Sequence, residues 1–253
     1  MRSIEFSKRT TKEILRDPLS YIFCLGFPLI MLIIMTVVDR SIPKEAGMTI
    51  FKIQSLAPGM AVFGLTFVML FTCIQFSKDR STAFLTRLYA SPMKSVDYIV
   101  GYTVPSVVLA LLQIAITYVC SFIVAAIIGE SLNPLNILLS VVYLFPSILL
   151  YLGFGLLFGA LLNDKAAPGV CSIVITLSCM VGGIWMDVDS MGDAIKNLSH
   201  SLPFYHGMKA ARMVVSGEAG DALKPLLITL VYATVIYILA IIVMQGKMKK
   251  DVR

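Results

Sequence analysis

Charge is what this sequence has least of. Asp, Glu, Lys and Arg make up 14% of its 253 residues, where a soluble protein carries roughly a quarter, and 58% of the residues are hydrophobic. Little of such a chain can fold around a water-facing surface, which argues against one or two soluble domains and for a single membrane domain over 1–253. The shortage is concentrated: 19–38, 56–76, 98–128, 136–162, 167–186 and 226–244 contain no Asp, Glu, Lys, Arg or His. Each is long enough to cross a hydrocarbon core, which takes about 18 or more apolar residues.

Other absences narrow the chemistry. No G-x-x-x-x-G-K-[ST] loop occurs, so the chain has no usual means of cradling and splitting ATP. Its nearest glycine cluster, Gly153, Gly155 and Gly159, lies inside an apolar stretch with no following lysine, and suits close helix packing instead. There is no paired carboxylate within a span, no H-E-x-x-H, and no nucleophile with a base at readable spacing, so no intramembrane enzyme is expected. The lack of ionisable residues in the spans argues against proton or sodium coupling, although unwound backbone and hydroxyls can hold sodium. Five cysteines, Cys24, Cys73, Cys120, Cys171 and Cys179, all fall in apolar stretches without close spacing and read as free buried thiols. The two histidines, His200 and His206, have no third ligand nearby and read as loop residues, so no metal site is expected.

What is present is an ordered set of spans with informative connections. The stretch 98–128 is 31 residues, about 46 Å of helix, so it is expected to tilt, kink at Pro105 or project from the bilayer. Met31 to Val38 runs straight into Asp39-Arg40, so the first stretch reads as a retained anchor rather than a cleaved signal. With both termini on one side, the connections on that side hold fourteen Lys and Arg and those on the other seven, four of which sit in one long loop. The positive side is cytoplasmic by rule, so both termini are expected inside. That bias also accounts for the net charge of +6 without a nucleic-acid partner.

Three connections are more than linkers. In residues 1–17, Lys8, Lys12 and Arg16 recur every four residues on one side of an amphipathic interfacial helix that ends before Pro18 and meets anionic lipid or a partner protein. In 77–95, Asp79 is placed to cap a short helix, Phe84 and Leu88 share a face, Arg80 and Arg87 bracket them, and Pro92 ends the run. In 187–224, Phe204, Met208, Ala211 and Val215 give one apolar face to a helix starting near Pro203, expected to pack on the outer leaflet or the bundle. Trp185, the lone tryptophan, suits a membrane interface.

The run Asp79-Arg80-Ser81-Thr82-Ala83-Phe84-Leu85-Thr86-Arg87-Leu88-Tyr89-Ala90-Ser91-Pro92-Met93 resembles the cytoplasmic loop of ABC-2 type transporter permeases. There a basic-acidic start leads through a glycine step to Leu, an Arg-Leu pair and Ser-Pro or Thr-Pro. The run Leu202-Pro203-Phe204-Tyr205-His206-Gly207-Met208-Lys209-Ala210-Ala211-Arg212 is similar to that family's second signature, ahead of the last span. Ala83 stands where the glycine is usual and Thr86 where an acid often precedes the arginine, which changes polar detail but leaves the apolar anchors.

The resemblance implies an all-α, six-span integral membrane bundle with an N-terminal interfacial helix, a cytoplasmic coupling helix over 79–90 and an extracellular helical or re-entrant segment before the last span. It implies an export permease in the plasma membrane. A separate cytosolic ABC ATPase would bind ATP and Mg, so this chain would carry no cofactor, and a second permease, a copy or a paralogue, would complete the assembly. Asp79, Arg80, Phe84, Leu85, Arg87, Leu88, Ser91 and Pro92 would dock on the ATPase, and Lys8, Lys12 and Arg16 would give a lateral contact. Pro203, Phe204, Met208 and Arg212 would belong to an outer gate. The substrate path would run along Met60, Phe63, Phe67 and Phe71 and along Ser172, Thr176 and Met180, a soft surface suited to a drug, lipid or membrane-active peptide. The alternative readings are a membrane-embedded sensor or scaffold, or a secondary transporter.

Overall fold

The computed structural model describes residues 2–43, 49–81 and 95–251, and among them there is no β-strand. The helices are α1 (Arg2–Arg16), α2 (Pro18–Ser41), α3 (Ile53–Ser81), α4 (Ser95–Ile128), α5 (Pro134–Leu161), α6 (Ala167–Met180), α7 (Asp193–His200), α8 (Pro203–Val215) and α9 (Leu223–Asp251). Five of them, α2, α3, α4, α5 and α9, are long and apolar enough to cross a membrane. The expected fifth span, 167–186, is helical only to Met180. At 14 residues, α6 is about 21 Å long, short of a hydrocarbon thickness of about 30 Å. A turn through Gly182 and Gly183 follows it, where Gly183 takes φ +83.

α3 is the hub, with most of its apolar length buried, whereas α2 and α9 are largely exposed on the rim where lipid belongs. α2, α4, α5, α6 and α8 all pack against it. The most extensive contact is with α5, whose Gly155 and Gly159 share a face at i and i+4. A Cβ added at Gly155 would sit 2.7 Å from the Met69 carbonyl oxygen, and one at Gly159 2.9 Å from the Phe76 Cβ. The glycines thus let two backbones touch, which in lipid is a main source of helix association. On the other side of α5, Gly153 meets Ile236 and Tyr237 of α9.

Polar side chains join the same helices. Thr72 of α3 bonds Ser106 of α4 at 3.0 Å, and Tyr118 of α4 bonds Ser140 of α5 at 2.6 Å. Gln113 of α4 lies over Gly64 of α3, where any Cβ would collide with its amide.

Prolines account for the irregular turns. Pro28 has no N–H for the Cys24 carbonyl, and α2 contains a π turn over Ile22–Gly26 in which Phe27 N–H donates to Ile22 O. α5 is interrupted by a turn at Leu144, two residues before Pro146. α4 is helical through Pro105 for 34 residues, about 51 Å, longer than the hydrocarbon core is thick.

α1 lies across the end of the bundle where α3 and α5 finish, and α8 lies at the opposite end. Gly155→Ala is expected to force α3 and α5 apart and lower stability by about 1–3 kcal/mol, read as a fall in the thermal midpoint in detergent. Gly169→Ala, facing open space, leaves the midpoint unchanged.

Candidate functional site

At the α1 end a buried aromatic contact comes first. Phe6, almost fully buried, seats its ring over Gly101, with edge-on contacts to Tyr98 at 5.8 Å and Tyr102 at 5.0 Å. Only a glycine at 101 admits it, since a Cβ there would lie 2.1 Å from the ring. One turn on, Arg9 reaches Asp79 at 3.3 Å and Glu13 at 2.6 Å, while Gln75 donates to Glu13 at 3.2 Å. Tyr102 O–H donates to Asp79 at 2.6 Å. Arg9 with Glu13 and Gln75 with Asp79 are both i,i+4 pairs, so α1 is held on α3 by two polar rungs and on α4 by Phe6.

This corrects the expectation for Asp79. It lies inside the last turn of α3 and is committed to Arg9 and Tyr102, so it does not begin the next helix. Arg80, expected at a docking rim, turns inward and donates to Leu162 O at 2.6 Å, closing the end of α5. Phe84, Leu85, Arg87, Leu88, Ser91 and Pro92, with the rest of 82–94, lie outside the described residues. Lys8, Lys12 and Arg16 stay exposed, Lys8 and Lys12 on the face of α1 away from Phe6 and Arg16 at its last turn, beside Glu13. The docking stripe Phe6, Arg9, Thr10 and Glu13 went unread, although its spacing of 3, 1 and 3 is as regular as that of the basic stripe.

At the opposite end, α8 has the apolar face expected of it: Phe204, Met208, Ala211 and Val215 are buried. It does not lie flat. Val215 O accepts from Asn136 near the start of α5, while Phe204 packs on Tyr151 and Phe154. Asn136 and Tyr151 are about 22 Å apart along the helix, so the segment re-enters the bundle. Pro203 is buried at its first turn. Arg212 donates to Ser55 O at 3.3 Å and Ile184 O at 3.2 Å, tying α8 to α3 and to the turn after α6. Burial draws its guanidinium down to about 10, still charged at neutral pH.

Beside it lies a polar corner. Tyr205 O–H donates to both Asp189 oxygens at 2.8 Å, Lys209 bonds Tyr205 O–H at 3.1 Å, and His200 stacks on Tyr205 at 4.5 Å. Burial would raise the Asp189 carboxyl, but bonds from Tyr205 and His200 and the Lys209 charge hold it below the usual carboxylate range. Burial, with neighbouring positive charge, holds His206 below an ordinary histidine. Its Nε2 meets His200 O at 2.9 Å. Among the described residues no three His, Cys, Asp or Glu side chains converge as a metal would require.

Met60, Phe63 and Phe67 of α3 are buried within the chain and Phe71 is half-buried. Phe23 and Phe27 of α2 and Trp185 cover them in an edge-and-face ladder with centroids 5.2–6.2 Å apart. Ser172, Thr176 and Met180 form an exposed stripe on α6, so the two sets are not brought together within one chain.

The order of these parts meets a family model at this point: the ABC-2 type transporter model matches residues 4–216, from α1 through α8. The chain is a member of the ABC-2 type transporter family. It is also similar to the Bacillus subtilis protein named "Putative transport permease YvfS", with 24% identity over 232 residues, 90% of this chain and 91% of that one. This ABC-2 type chain is accordingly a multi-pass membrane protein and a transmembrane transport subunit.

In this ABC-2 type chain, Asp79→Leu removes the acceptor of the Tyr102 hydroxyl and one of the two carboxylates on Arg9, which keeps Glu13. Losing a charged hydrogen-bond partner costs about 1.5–3 kcal/mol, so hydrogen exchange across 2–16 is expected to accelerate at least tenfold. Lys12→Leu, on the exposed face, leaves it unchanged.

Proposed function

We propose that this chain is the permease subunit of an ATP-driven exporter whose ATPase is a separate cytosolic protein. The observation that carries the reading is the family match over 4–216 in a sequence without any phosphate-binding loop. A membrane protein with no phosphate-binding loop, and with no Asp, Glu, Lys, Arg or His in its six apolar stretches, is read as having its work supplied from elsewhere.

In this reading the α1 end faces the cytoplasm, as the Lys and Arg bias requires, and the chain resides in the plasma membrane. The segment following α3 docks on the ATPase through Phe84, Leu85 and Leu88, rimmed by Arg87, with Ser91-Pro92 ending it. The exposed Lys8, Lys12 and Arg16 stripe makes a lateral contact. Two permeases, identical or paralogous, assemble with two ATPases that bind ATP and Mg. Closure of the ATPase pair pushes the coupling segments and tips the bundles between inward- and outward-open states.

Support for a lever at this point comes from the anchoring of α3. Its end is tied to α1 through Asp79 and to α5 through Arg80, so displacement of the coupling segment is passed to three helices at once. At the outer end, Arg212 links α8 to α3 and serves as a gate tie. The cargo is hydrophobic or amphiphilic, a drug, lipid or peptide. It passes between protomers along the Ser172, Thr176 and Met180 stripe and reaches the aromatic ladder of α3 when α2 moves aside.

Purified with its ATPase, a Phe84→Asp, Leu88→Asp double variant is expected to lose co-purification. Two buried apolar anchors at about 2 kcal/mol each correspond to several hundred-fold in affinity. Equal ATPase binding by wild type and a normally inserted double variant would overturn the docking assignment.

A further inference from the structure

A groove of about 500 Å³ lies between α2 and α4, toward the end of the bundle away from α1. Its floor is Leu32 and Thr36 of α2 with Cys120 and Val124 of α4, buried or half-buried, and its rims include Val37 and Ile127, both exposed. Thr36 O–H donates to Leu32 O at 2.7 Å, so the one hydroxyl on the floor is already used. Among the described residues no carboxylate lines the groove. Arg40, itself exposed, closes its far end with an N–H on Ile128 O at 3.3 Å.

Such a groove offers water no free polar partner, and left empty it would cost the floor its dispersion contacts. Its occupant is therefore hydrocarbon. From Leu29 to Arg40 the groove follows α2 for about 16 Å, and one leaflet contributes about 15 Å of hydrocarbon. A neighbouring helix, about 10 Å across, would need roughly 1,250 Å³ over that length, so it would rest on the rims and leave the floor uncovered. The rims run into exposed apolar faces of both helices, at Ile30 and Ile34 of α2 and Val119 of α4. The groove is thus an inlet of the lipid-facing surface. We propose that it holds one acyl chain of a phospholipid from the leaflet at the Arg40 end, with the chain terminus on Leu32 and Cys120 and the ester region beside Arg40. The chain makes the contact, so the charge of the headgroup does not select the lipid. Filled in this way, α2 and α4 are packed together through a lipid chain that neither an ATPase nor a direction of transport is needed to place.

The test uses the full chain in phosphatidylcholine vesicles containing trace phosphatidylcholine with a diazirine at the chain terminus or just below the ester. Crosslinks are mapped by mass spectrometry. The terminal diazirine is expected to label the floor at Leu32 and Cys120, and the one below the ester to label Val37 and Ile127. Phosphatidylglycerol with the same chains labels the floor equally. Val124→Trp fills the floor and is expected to cut labelling of Thr36 and Cys120 roughly tenfold or more, because two groups cannot share close-packed space. Labelling of Val231 and Ile238, exposed on α9, stays unchanged and shows that the variant is inserted and folded. Cys120→Phe, which fills the same floor from the preceding turn, gives the same loss at Thr36 and Val124. A floor left unlabelled in the wild type beside normal labelling of α9 would overturn the site and assign the groove to a protein partner. Floor labelling that survives both fillings, or that depends on the headgroup, would overturn it as well.

Discussion

The contact on which this fold depends is the one between α5 and the backbone of α3. A membrane interior gives no hydrophobic driving force between helices, because lipid tails are as apolar as leucine. Helices there associate through close packing and a few polar bonds. Gly155 and Gly159 remove the side chains that would keep α5 off the Met69 and Cys73 carbonyls, so α3 becomes a buried axle around which α2, α4, α6 and α8 are laid. The inter-helix hydroxyl pairs, Thr72 with Ser106 and Tyr118 with Ser140, set the remaining helices against that axle.

Both ends of the axle carry charge that is spoken for. At one end Asp79 and Arg80 are bound to α1, α4 and α5, and at the other Ser55 O accepts from Arg212 of the re-entrant α8. α3 thus connects the α1 end of the bundle to the re-entrant α8 through a single helix. In the proposed reading, those two ends are where a push from a separate ATPase would enter and where an outer gate would answer.

The membrane class, the places of five long apolar helices and the apolar face of α8 were legible in the sequence because each is written in hydropathy and periodicity. What escaped was written in pairs of residues far apart. Phe6 is one aromatic in a basic helix, and its role depends on Gly101, which lies 95 positions away. Asp79 stands next to a recognisable loop and looks like a helix cap, yet Arg9 and Tyr102, both distant in sequence, decide its use. The shortness of α6 was hidden because hydropathy does not separate helix from the apolar turn that follows, and only Gly182-Gly183 hinted at the break. Of the coupling helix expected over 79–90, residues 82–90 fall outside the described residues, and their reading rests on the sequence pattern and the family resemblance.

The central claim is that this chain moves cargo with work done by another protein. The most direct measurement is ATP turnover by the purified chain alone, by a candidate ATPase alone, and by the two reconstituted together in lipid. The account predicts no turnover by the chain, and a turnover by the ATPase that changes when the chain is present. Hydrolysis by the chain alone, or an ATPase whose rate is indifferent to it, would contradict the account.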